Sequence, residues 1–220
     1  MDISLKKSLF DFLSQYATEN KVNKINEIIL NRTRYISIIL EDLSSSHNAS
    51  AIVRSTECFG VQDINIIERR HEFFATNSIS KGSAKWVNFN KYKDTISCIK
   101  DLKAKGYKIV ATSPHKKTCS LDQLDISQKV AIMFGSEKIG LSSEAMELAD
   151  EFVAIDMFGF TESFNISVSV AICLYEIMKR VRNSNIDWKL SEEELLDIKL
   201  SWLRNIVRGS KIIEKKFFEG

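Results

Sequence analysis

The sequence predicts an α/β protein with a mostly parallel sheet and helices on both faces. Two observations carry this. Short apolar runs rich in isoleucine and valine recur from residue 36 to residue 156, and each is too short for a helix and lacks the polar alternation of a half-exposed strand. Between the runs lie amphipathic stretches at helical spacing, so strand and helix alternate as they do in parallel sheets.

The runs are ISIILE at 36–41, INIIE at 64–68, YKIVAT at 107–112, VAIMFG at 130–135 and FVAID at 152–156, with a weaker candidate, WVNFN, at 86–90. The intervening helices are expected over about 48–59, 94–105 and 142–149. Ahead of the first strand, Leu5, Leu9, Phe12, Leu13 and Tyr16, then Val22, Ile25 and Ile29, mark two short amphipathic helices. Residues 165–181 are apolar nearly all round, which predicts a helix that is buried or shared with a second subunit. A last helix begins at Ser191, where Ser191 and Glu194 form a capping box; it packs through Leu195, Leu196, Ile198, Leu200, Trp202, Leu203, Ile206 and Val207. Pro114, the single proline, marks a loop after a strand.

The organisation expected from these elements is an N-terminal helical extension over 1–35, an α/β domain over 36–182 and a C-terminal helical extension over 183–220. A chain of 220 residues with 44% hydrophobic and 27% charged side chains is an ordinary globular composition and selects no function. The cysteines, at 58, 98, 119 and 173, form no C-x-x-C pair and no cluster with histidine at ligand spacing, so no metal is expected and they read as thiols of a reducing compartment. Lys6, Lys7, Asp11 and Ser14 interrupt the N-terminal apolar residues, and the longest apolar stretch, Ile166 to Met178, contains Ser167, Ser169 and Glu176. A cytoplasmic protein with no membrane association is expected. Residues 1–36 carry six basic and four acidic side chains, 37–178 carry fifteen and eighteen, and 179–220 carry ten and seven. The basic ends would meet phosphate outside the central body, or they are solvated helix faces.

Parallel sheets collect ligands at the carboxyl ends of their strands. Three exits hold polar groups for which a core has little use. SSSHNASAIVRSTECFG, 44–60, follows the first strand and contains Asn48, either a helix cap or a functional amide, and Arg54, either a free cation or an ion-pair partner of Glu57 or Glu41. FGSEKIGLSSE, 134–144, sets Gly135 and Gly140 about Glu137, for a turn or for close approach of a ligand. IDMFGFTESFNISVSVAICLYE, 155–176, brings Ser163 and Asn165 to the start of the buried helix, where they cap it or reach a ligand. The chain has no G-K-[ST] phosphate loop, no G-x-G-x-x-G after the first strand and no G-x-S-x-G elbow, so the common nucleotide-binding and hydrolase classes lose their anchors.

Taken together and in order, the three segments resemble the motifs of the SpoU, or TrmH-like, RNA ribose 2′-O-methyltransferases of the knotted SPOUT class. The resemblance covers about residues 36–178: NASAIVRSTECFG matches the first motif, GSEKIGL the second and IDMFGFTESFNISVSV the third. It implies a C-terminal trefoil knot, which ordinary folding rules make improbable and no pattern in the chain predicts. It also implies a homodimer and S-adenosyl-L-methionine as methyl donor. The short extensions are most similar to the branch acting on guanosine 18 in the D-loop of tRNA. An rRNA ribose 2′-O-methyltransferase and a non-catalytic RNA-binding protein of the same fold are the alternatives.

By the same resemblance Asn48 and Arg54 face the ribose, with Glu137, Ser163 and Asn165 completing the catalytic set. Thr112, Gly135, Ile155 and Phe164 fall at the cofactor positions, with Phe164 standing where the family usually has leucine and Asp156 and Ser46 where it usually has proline. The family's arginine has been assigned activation of the hydroxyl. A guanidinium resists deprotonation, so the expectation for Arg54 is to hold the neighbouring phosphate and polarise the hydroxyl while Asn48 orients it. Lys6, Lys7, Lys21, Lys24, Arg32, Arg34, Arg204, Arg208 and Lys211 are the expected RNA contacts of the terminal segments.

Overall fold

The structure is a computed structural model, and it describes residues 1–75, 82–113 and 119–219. Pro114 and the loop expected at it lie outside the described residues. The chain divides into two compact units, Arg34–Trp188 and a second made of Met1–Thr33 with Lys189–Gly220.

The larger unit is the α/β body. Its sheet contains β1 (Ile36–Glu41), β2 (Asp63–Ile67), β3 (Asn88–Tyr92), β4 (Lys108–Thr112), β5 (Cys119–Ser120), β6 (Val130–Phe134) and β7 (Glu151–Ala154). They lie in the order β3-β2-β1-β6-β4-β7-β5, and every strand pairing is parallel. β5, two residues long, has no counterpart among the runs, and β3 overlaps WVNFN but is shifted two residues toward the C-terminus. Interleaved are α3 (Ser46–Cys58), α4 (Thr95–Ala104), α5 (Ser143–Leu148) and α6 (Ile166–Arg182).

Side chains of successive strand residues point to opposite faces. Ile36, Ile38 and Leu40 of β1 pack with Ile52 and Val53 of α3 and with Val170, Cys173, Leu174 and Ile177 of α6. Ile39 faces the other way and joins Ile109, Ala131 and Met133 against Cys98, Ile99 and Leu102 of α4 and Ala145 of α5. Burial on both faces is why these strands read as unbroken apolar runs. The 165–181 segment is helical as expected, but its apolar residues do not all face this core: Val168 and Tyr175 are exposed.

The smaller unit consists of α1 (Ile3–Ser14), α2 (Glu19–Ile28), a single 3₁₀ turn at Ile29–Asn31, α7 (Glu192–Ile206) and α8 (Ser210–Glu219). The capping box is formed, with Glu194 N donating to Ser191 Oγ at 3.3 Å and Ser191 N to Glu194 Oε2 at 2.9 Å. The single last helix expected from Ser191 is interrupted: Gly209, at φ 74°, turns the chain into α8.

Candidate functional site

β1, β6, β4 and β7 are neighbours in the sheet. β1 pairs with β2 on one side and with β6 on the other, so successive connections leave in opposite directions and open a crevice at the strand ends. The end of β4, with Thr112 and Ser113, and the loops after β6 and β7 line a cavity of about 550 Å³ there. Thr112, Gly135, Ile155 and Phe164, the four residues expected at the cofactor, all line it, as do Glu137, Ser163 and Asn165. Leu141 and Met157 add apolar surface and Ser136 a hydroxyl; sequence reading passed over these three, although all lie inside its own motifs.

The loop after β6 has a specific backbone requirement. Ser136 and Gly140 form an antiparallel bridge, with Ser136 N donating to Gly140 O at 3.1 Å and Gly140 N to Ser136 O at 2.9 Å. Gly140 lies at φ 76°. A Cβ on Gly135 would stand 2.1 Å from Gly140 C and 2.2 Å from Leu141 N, so only glycine lets the loop close on itself. The closed loop carries Glu137 toward β1.

Three segments far apart in sequence meet at Asn48. Its Nδ2 donates to Glu137 Oε1 at 2.8 Å, and its Oδ1 accepts from Asn165 Nδ2 at 3.1 Å. Ser44 Oγ donates to Glu137 Oε2 at 3.2 Å. Asn165 also caps α6, its Oδ1 accepting from Ser167 N at 2.9 Å and from Ser167 Oγ at 2.6 Å. Asn48 is not the helix cap: Ser45 performs that role through its hydroxyl, and the Asn48 side chain, buried in the first turn of α3, is left for the network. Burial pushes the Glu137 carboxyl up, but hydrogen bonds from the Asn48 amide, its own backbone and Ser44 outweigh that and hold it below the usual carboxylate range.

Arg54 is not brought into this cluster. It lies six residues along α3, exposed, and does not line the cavity. The ion pairs considered for it are not formed, and among the described residues it makes no side-chain hydrogen bond. Glu41 is instead buried and accepts from Ser142 N and Ser142 Oγ, both at 2.7 Å, and from Thr95 Oγ1.

The expected RNA contacts fall into three groups. Lys6 is buried and paired with Glu193 at 2.8 Å and Asp197 at 2.7 Å, and Arg32 is 1% exposed with its guanidinium 5.6 Å from the Trp202 ring centre. Neither presents its charge at the surface, contrary to the reading of both as surface cations. Lys7 pairs with Glu192 at 2.6 Å, Arg204 with Glu214 at 2.6 Å and Arg34 with Asp63 at 2.9 Å. Lys21, Lys24, Arg208 and Lys211 are exposed. Among the described residues no three His, Cys, Asp or Glu side chains are grouped to hold a metal ion, and no helix is long and apolar enough to cross a membrane.

A parallel sheet with a cavity of mixed lining at its adjacent carboxyl ends, two of whose lining residues anchor a buried amide from both sides, has the architecture in which α/β proteins hold small molecules at a switch point. The chain belongs to the SpoU rRNA methylase family, a family of methyl-transferring enzymes, whose model matches residues 35–175. It is 42% identical over 202 residues, 92% of this chain and 93% of the relative, to a tRNA (guanosine(18)-2′-O)-methyltransferase of Borreliella burgdorferi. A protein of the same description from Thermus thermophilus is 31% identical over 85% of this chain and 97% of its own. Among solved structures, the Aquifex aeolicus TrmH/SpoU tRNA modifying enzyme superimposes with a TM-score of 0.79 at 28% identity, covering 86% of this chain and 98% of that one.

Proposed function

We propose that the protein methylates the ribose 2′-hydroxyl of guanosine 18 in the D-loop of tRNA, in the cytoplasm, with S-adenosyl-L-methionine as donor. The observation that carries the proposal is the meeting of Asn48 with Glu137 and Asn165, one residue from each motif, the latter two of which line one cavity. The relatives that share nearly the whole chain are named for this reaction.

The cavity fits the donor. Its volume lies within the range of small-molecule sites, and its lining combines apolar Leu141, Ile155, Met157 and Phe164 with polar Thr112, Ser136 and Glu137. Such a lining suits a ligand with a flat heterocycle at one end and a charged amino-acid tail at the other. Thr112, Gly135, Ile155 and Phe164 are the residues we assign to holding it. Bound there, the donor supplies a methyl group on a sulfonium, a good leaving group, so the protein's task is chiefly alignment.

Asn48 orients the ribose hydroxyl, because its amide is fixed by Glu137 on one side and Asn165 on the other. Glu137, ionised and with both oxygens engaged, anchors that amide instead of taking the proton. Ser163 supports the substrate from the loop before α6. Arg54 holds the phosphate beside the target ribose and polarises the hydroxyl as a standing charge, since a guanidinium does not readily give up a proton. Lys21, Lys24, Arg208 and Lys211 carry the RNA affinity of the terminal segments, 1–35 and 183–220, and residues 36–182 form the catalytic domain. The C-terminal part of that domain is knotted as in the rest of the class. Two copies pair through the exposed apolar residues Phe158, Phe160, Val168 and Tyr175.

Incubation with labelled methyl donor and either unmodified tRNA or rRNA tests the reading. Label enters tRNA as a 2′-O-methyl group. Exclusive labelling of rRNA would transfer the activity to that substrate, and labelling of neither by a protein that binds the donor would leave an RNA-binding protein without the chemistry.

A further inference from the structure

A second cavity, of about 420 Å³, lies beside the first and shares Ser136, Ile139, Gly140 and Leu141 with it. Its other wall is the exit of β2, where Arg69, Arg70 and His71 follow one another, and the exit of β1, where Asp42 stands.

The β2 exit is held in one conformation. Asp42 adopts φ 53°, a left-handed backbone that aspartate tolerates because its short side chain bonds locally. Its Oδ1 accepts the backbone N–H of Arg69 at 2.8 Å and of Arg70 at 2.7 Å. Arg69 turns back onto the body, donating from both terminal nitrogens to the two Glu144 oxygens at 3.1 Å each, with Glu41 at 4.0 Å. Of the acidic groups that face the cavity, Glu144 is paired with Arg69, Glu41 accepts from Ser142 and Thr95, and Asp42 Oδ1 accepts two backbone N–H groups. Arg70 and His71 are exposed, and among the described residues neither side chain has a partner. The donors left to a ligand are the Arg70 guanidinium, the His71 ring and the hydroxyls of Ser136 and Ser143, and the guanidinium is the one full positive charge among them.

We propose that this cavity binds a phosphodiester of the RNA strand next to the methylated nucleotide, with Arg70 as the principal donor and Asp42 as the positioning residue that aims it. The site deepens the functional reading above and rests on it. A guanidinium pairs with phosphate oxygens through two parallel N–H bonds, and the shared wall puts the bound strand within one loop of the methyl donor. The contact lies on the catalytic body, so it sets the register of the strand as well as adding affinity.

The test uses the intact protein, donor and unmodified tRNA. Arg70→Ala is expected to raise KM for tRNA about fivefold or more with kcat little changed, to leave donor affinity intact, and to reduce the salt slope of tRNA binding by about one. Asp42→Ala should do the same, and combining it with Arg70→Ala should add little. Asp42→Asn, which keeps the acceptor and tolerates the left-handed backbone, should restore binding. A wild-type protein that methylates tRNA while Arg70→Ala leaves KM and salt slope unchanged overturns this site alone. Failure of the wild type to bind or methylate RNA overturns the functional reading and the site together.

Discussion

Replacing Gly135 by alanine perturbs the candidate site through one methyl group. The added Cβ would stand 2.1 Å from Gly140 C, 2.2 Å from Leu141 N and 2.3 Å from Gly140 O. All three are backbone atoms, so no side-chain rotation relieves the clash and the loop must move. Movement opens the Ser136–Gly140 bridge, whose two hydrogen bonds of 3.1 and 2.9 Å contribute roughly 1 kcal/mol each. Residual overpacking adds about 1–3 kcal/mol if the loop moves only partly. A loss of about 3 kcal/mol follows, or roughly 6–12 °C in Tm for a chain of this size. The same displacement carries Glu137 from Asn48 and reshapes the cavity, so donor affinity should fall more than tenfold. Thermal unfolding and calorimetric titration with S-adenosylmethionine read the two effects. A Gly135→Ala protein with Tm within about 2 °C of the wild type and unchanged donor affinity would show that the closed loop does not require glycine at 135.

Asn48→Ala removes the amide between Glu137 and Asn165, and the rate of methyl transfer should fall about 10²-fold with donor affinity little changed; single-turnover kinetics at saturating tRNA separate the two. Arg54→Ala should likewise abolish most transfer while fold and donor binding persist, and full retained activity would remove Arg54 from the reaction. Reversing the charges of Lys21, Lys24, Arg208 and Lys211 together should weaken tRNA binding and flatten its salt dependence, as read by filter binding at several salt concentrations. Hydrogen bonds from the Ser127 backbone and side chain, with Lys108 Nζ at 3.1 Å, hold the Asp125 carboxyl down to about 2 against an ordinary 3.8. Its folded value lies below the unfolded one, so its stabilisation is complete above about pH 4 and is lost as the pH falls toward 2. Asp125→Asn should flatten urea-unfolding stability across that window, and identical pH profiles would contradict it.

The strands were legible because both faces of the sheet are covered, which forces continuous runs such as Ile36–Glu41 and Val130–Phe134. β5 was not, since Cys119 and Ser120 make no run and join the sheet only by pairing with β7. Val207 reads as one more apolar position of the last helix, but Gly209 takes a left-handed turn just after it. Of the site, the strand exits and their odd polar residues could be found by position, since parallel sheets gather ligands there. What each residue touches could not. Asn48 looks like a cap until Ser45 is seen to cap the helix and Glu137, 89 positions away, to take its amide. Lys6 and Arg32 read as surface charges because their partners, Glu193, Asp197 and Trp202, come from the other end of the chain. Arg70 passed unnoticed because its freedom depends on where Asp42 and Arg69 are held.

A tRNA transcript carrying 2′-deoxyguanosine at position 18, compared with the otherwise identical all-ribose transcript, isolates the 2′-hydroxyl proposed as the methyl acceptor. With labelled S-adenosylmethionine, the all-ribose tRNA should take up about one methyl group per molecule, mapped to the ribose of guanosine 18, and the deoxy-substituted tRNA should take up none. Equal labelling of the two transcripts would place the methyl elsewhere and contradict the account.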